Sequence, residues 1–71
     1  MNLTNRYFDL LARLTEIHPV QRRIQADITE NKTNPIIGFD VNKMEGLNKV
    51  YLGEIKKIVG ELNTMLITVH V

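Results

Sequence analysis

The sequence predicts an all-α fold, an antiparallel hairpin of two long helices, from three observations. Apolar residues recur at alternating spacings of four and three in two separate stretches, and a segment punctuated by Asn34-Pro35 and Gly38 divides them. The two stretches also fall into register when one is folded back on the other. All of residues 1–71 then form one domain.

The first helix is expected over residues 4–29, because Leu3, Tyr7, Leu10, Leu14, Ile17, Gln21, Ile24 and Ile28 trace one packed seam with a single polar member. Thr4 is a candidate N-cap, and Leu3 with Phe8 can form a hydrophobic staple around it. Pro19 lacks an N–H and disfavours helical geometry at His18, so it should kink this helix or divide it. The seam keeps phase through Pro19, which favours a kink near 19.

Residues 30–41 read as the connection, in which Ile36, Ile37 and Phe39 are apolar enough to fold back over the hairpin or to meet a partner. The second helix is expected over residues 43–66. Asn42 and Glu45 have capping-box spacing, and Met44, Tyr51, Ile55, Ile58, Leu62 and Met65 continue the seam. The tail Leu66-Ile67-Thr68-Val69-His70-Val71 alternates β-branched residues, leaving helix, strand and frayed end open.

Antiparallel partners should have position numbers of constant sum, and a sum of about 72 matches Tyr7 with Met65, Leu10 with Leu62, Leu14 with Ile58 and Ile17 with Ile55. It also matches Ile28 with Met44 and sets Ile24 against Asn48, while Gln21 is expected to meet the Tyr51 hydroxyl.

Composition narrows the classes of function. A chain of 71 residues buries a small share of its surface, and with no Cys and only His18 and His70 it has neither disulfides nor a supported structural metal to help it. Self-association is the remaining route to stability, and a homo-oligomeric helical bundle is the expected form. No apolar stretch approaches the roughly 20 residues that span a bilayer. The opening residues lack a signal-peptide layout, so the expected location is the cytoplasm, with no membrane contact. A formal charge of +1 makes nucleic acid an unlikely partner, and no recognition helix of clustered basic and amide residues stands out. The chain has no Ser, no recognisable carboxylate or metal motif and no nucleotide-binding glycine pattern, so an enzyme is not expected and no cofactor is implied.

Three features carry the functional reading. Gly46, Gly53 and Gly60 recur every seven residues on one stripe, either tolerated in solvent or admitting a second subunit closely. Phe8, Leu11, Leu52, Val59 and Leu66 lie off the main seam, where a two-helix hairpin has no third layer to cover them, and they join the glycines as expected interface residues. Arg22 and Arg23, with Lys49 near them in the folded-back register, form a candidate anion site, since the guanidinium fork suits phosphate; Glu16, Asp27 and Glu54 could equally neutralise the charge.

Asn5-Arg6-Tyr7-Phe8 is similar to an Asn-Arg-aromatic opening, and Lys43-Met44-Glu45, followed by apolar residues out to Ile55, is similar to a Lys-Leu-Glu-Glu helix start. Through these the chain resembles the small phage hairpin proteins that sequester cyclic oligonucleotide immune signals, the anti-CBASS type of sponge. It departs from that pattern at Gly46, in the missing Asn-Ala-Ala-Ile-Ala-Arg helix ending, and in the long helical stretch after Phe8. The resemblance implies a viral anti-defence protein in the host cytoplasm, with Tyr7 stacking on a base and the helix from Lys43 lining a subunit interface. Two functions are therefore expected to compete. One is sequestration of a cyclic nucleotide at subunit boundaries; the other is an adaptor or inhibitor that presents apolar helix faces to a protein partner.

Overall fold

A computed structural model of the chain describes the backbone of residues 3–70 and the side chains of residues 4–66. It is an all-α hairpin, α1 over Leu3–Thr33 and α2 over Val41–His70, packed along their length. The molecule is a rod of 52 × 17 × 15 Å.

The core is the seam expected from spacing. Leu10, Ile17 and Ile58 form its buried cluster, with Leu14, Tyr51, Ile55, Leu62 and Met65 packed against them. Ile24 and Ile28 continue the buried line of α1.

The interior differs from expectation at Gln21, which does not pair with the Tyr51 hydroxyl. Its Nε2 donates to Asn48 Oδ1 at 3.2 Å, and Asn48 Nδ2 donates to Gln25 Oε1 at 2.9 Å. Asn48 sits four residues after Met44 and three before Tyr51, so it occupies a seam position, and a buried amide there must find amide partners across the interface.

The helix boundaries also move. α1 runs a further turn past Ile28 because Pro35, which disfavours helical geometry at Asn34, is its effective stop, and Asn31, three residues after Ile28, is buried on the same line. It passes through Pro19 as one helix, so it is not divided there. Thr4 lies inside α1 rather than capping it, and the Leu3 half of the staple falls outside the described side chains.

The connection is short and built. Asn31 Oδ1 accepts the Ile36 N–H at 2.9 Å, and the Phe39 N–H reaches the Ile36 carbonyl at 3.2 Å. Gly38, two residues after Ile36, takes a φ of +88°, as the third residue of a type II turn requires. Asp40 then caps α2, its carboxylate accepting the Lys43 N–H at 3.0 Å. The cap is thus two residues before the expected Asn42, where a charged carboxylate also faces the positive end of the helix dipole. The tail follows the helical alternative as far as His70; Val71 lies outside the described residues.

Candidate functional site

The hairpin has a flank on each side of its seam, and the two differ in chemistry. On one, each residue stands just before a seam position. Arg6 Nη2 donates to Glu61 Oε2 at 2.7 Å, and Arg13 donates from Nε and Nη2 to Glu54 at 2.7 and 3.2 Å. Arg13 also reaches Glu16 at 3.4 Å. The hydrogen bond from Arg13, helped by the charges of Arg13 and Lys57, holds the Glu54 carboxyl below its ordinary range. The same pairing raises Arg13. Both pairs are partly exposed, so they contribute more to alignment than to stability.

The opposite flank carries residues that stand just after seam positions: Leu11 and His18 on α1, and Leu52, Val59 and Leu66 on α2. Among the described residues no ion pair crosses it. A shallow hollow opens there instead, lined by Leu14, Thr15, His18, Pro19, Ile55 and Val59. Leu52, Val59 and Leu66 are each at least 40% exposed, Phe8 beside them is 61% exposed, and Leu11 is half-buried. Toward the connection this flank turns polar, with a second hollow among Gln25, Lys32, Asn42, Glu45, Asn48 and Lys49.

The expected interface residues therefore divide. Phe8, Leu11, Leu52, Val59 and Leu66 gather on one flank, whereas Gly46, Gly53 and Gly60 lie on a separate stripe of α2, with Gly46 at the edge of the polar hollow. A Cβ added at any of these glycines meets nothing within 4 Å, so packing inside the hairpin makes no use of them.

Arg22 and Lys49, expected at one anion site, line two adjoining hollows. Arg22 lines a hollow on the outer side of α1 with Ala26 and Thr29, Lys49 lines the polar hollow of the flank, and Arg23 is held 3.3 Å from Asp27. Gln25 is the residue those two hollows share. Tyr7 is half-buried, and its ring meets Phe8 edge-on at a centroid distance of 5.7 Å.

Sequence reasoning missed the Gln21–Asn48–Gln25 amide chain and the arginine–glutamate ladder. Both carried a signal in their spacing: Asn48 has the phase of the seam, and Arg6, Arg13, Glu54 and Glu61 each precede a seam residue.

Among the described residues no group of three or more His, Cys, Asp or Glu could hold a metal ion, and no helix is long and apolar enough to cross a membrane. Comparison with protein-family models, curated proteins and solved structures gives no match.

Proposed function

We propose that this chain is a non-catalytic binding protein that acts by laying the His18–Val59 flank of its hairpin against another protein surface. The observation that supports this most is the asymmetry of the flanks. One is bridged toward the chain ends by arginine–glutamate pairs and exposes only Val20 and Leu47 nearer the connection, while the other leaves Phe8, Leu52, Val59 and Leu66 in water around an apolar hollow. Amphipathic helices recognise partners through such rows of apolar anchors. Pro19 belongs to the same proposal: with no N–H to offer the Thr15 carbonyl, it bends α1 locally at the edge of the hollow. The test is affinity capture on immobilised full-length chain beside a Val59→Lys variant. A stoichiometric partner, this chain included, is expected on the first and lost on the second; equal recovery on both contradicts the reading.

A second reading is sequestration of an anionic signalling nucleotide, in keeping with the sponge resemblance and a cytoplasmic setting. The polar hollow favours it, since Lys32 and Lys49 stand there beside the amides of Gln25, Asn42 and Asn48. Calorimetry with cyclic di- and trinucleotides tests it. Heat that saturates at a fixed stoichiometry and is lost in Lys49→Glu supports it, and silence across the panel removes it.

A further inference from the structure

We infer that the occupant of the apolar flank is a second copy of this chain, the two hairpins stacking flank to flank as a four-helix bundle. The inference rests on the association reading above and names its partner.

Surface area points to a second copy. The chain exposes 5632 Å², whereas a compact monomer of 8.2 kDa exposes about 4,500 Å², an excess of about 1,100 Å². A stable protein interface takes about 800 Å² from each partner, so the excess is the right size for one such contact. The radius of gyration agrees, at 16.0 Å against roughly 11 Å for a globular chain of this length. Two helices alone supply one layer pair with few fully buried apolar side chains, and a second hairpin adds the missing layer.

Charge indicates how the copies lie. The flank is apolar toward the chain ends, at Phe8, Leu11, Val59 and Leu66, and charged toward the connection, at Lys32, Glu45 and Lys49. Stacking the copies end for end would lay the lysines of one on the apolar half of the other. A two-fold axis along the rod instead keeps apolar on apolar and sets α1 of one copy against α2 of the next, antiparallel as bundle neighbours usually are. It brings Leu11 level with the partner's Val59 and His18 level with the partner's Leu52, in the register that Arg13–Glu54 and Gln21–Asn48 set within each hairpin. Gly53 and Gly60 fall on the rim of this contact.

Sedimentation equilibrium on the full chain tests the partner. Wild type is expected at twice 8.2 kDa, with Val59→Lys weakening the dimer by at least about 100-fold through a buried unpaired charge. Val50→Lys is expected to leave it intact, although Val50 at 66% is more exposed than Val59 at 40%. Disulfide trapping keeps the test independent of whether Val59→Lys folds, because the chain has no cysteine of its own. Leu11→Cys mixed with Val59→Cys should yield cross-linked dimers, and neither variant alone should. A wild type of single-chain mass at several hundred micromolar, an unweakened Val59→Lys dimer, or efficient self-cross-linking of either cysteine variant overturns the proposal. A single-chain mass together with Val59-dependent capture of a different protein overturns the second copy and leaves the association reading standing; a single-chain mass with no capture ends both.

Discussion

Asn48 is a short amide more than nine-tenths buried at a seam position, and its energetics are those of a satisfied polar group in an apolar interface. Replacing it by Ala leaves Gln21 buried without its acceptor, so Asn48→Ala should lower the urea-unfolding free energy by about 1–3 kcal/mol. Replacing Gln21 and Asn48 together by Leu should recover most of that loss, because no polar group is then stranded. Failure of the double variant to recover would show that the amides do more than satisfy each other. Glu54 provides a pH handle at the same scale. Its folded pKa lies below the ordinary carboxylate value because Arg13 donates to it, so its contribution to stability is complete above the unfolded value of about 4.3 and is lost as pH falls through the folded one. Glu54→Gln should flatten that part of an acid-unfolding profile, and an unchanged profile would contradict the pairing. The seam residues were legible in the sequence because apolar side chains mark their own period. Asn48 was not, because an amide with the right phase resembles an interruption until its partners on the other helix are known.

At the scale of the element, α2 is capped by Asp40 and carries three glycines on one stripe. Asp40→Ala should cost about 1 kcal/mol through loss of the cap. Gly53→Ala should stabilise the helix by up to about 1 kcal/mol, since the added methyl meets nothing in the hairpin. Thermal unfolding of the two variants at one fixed chain concentration reads both effects. A destabilised Gly53→Ala would place a neighbour's backbone against that stripe, which the rim position does not require. Helix existence and pairing were readable from the spacing, but the ends were not. Two candidate acceptors stand where α2 starts, Asp40 just before it and Asn42 just inside it, and the choice between them is made by the Ile36–Phe39 turn that delivers the chain to Asp40. The end of α1 was placed too early because Glu30 to Thr33 lack an apolar period, although Asn31 is buried on the seam line and latches the Ile36 N–H.

The whole molecule is a rod whose two sides are unlike, and that asymmetry organises the functional reading. Periodicity showed that Phe8, Leu11, Leu52, Val59 and Leu66 lie off the seam, but their gathering on one flank depends on the register of α1 against α2. The arginine–glutamate ladder shows that register directly. The basic cluster expected around Arg22, Arg23 and Lys49 joined two adjacent arginines to a lysine placed by the folded-back register, and a helix turns adjacent residues about 100° apart, so that Arg23 pairs with Asp27 while Arg22 lines the outer hollow of α1. A mixed sample in which half the chains carry labelled methyl groups gives the most direct measurement of the flank-to-flank stack, through isotope-filtered NOEs that cross between chains. Intermolecular NOEs joining the methyls of Leu11 on one chain to those of Val59 on the other are the predicted result. Their absence in a concentrated sample, or crossings confined to Val50 and the Ile36–Ile37 turn, would contradict it.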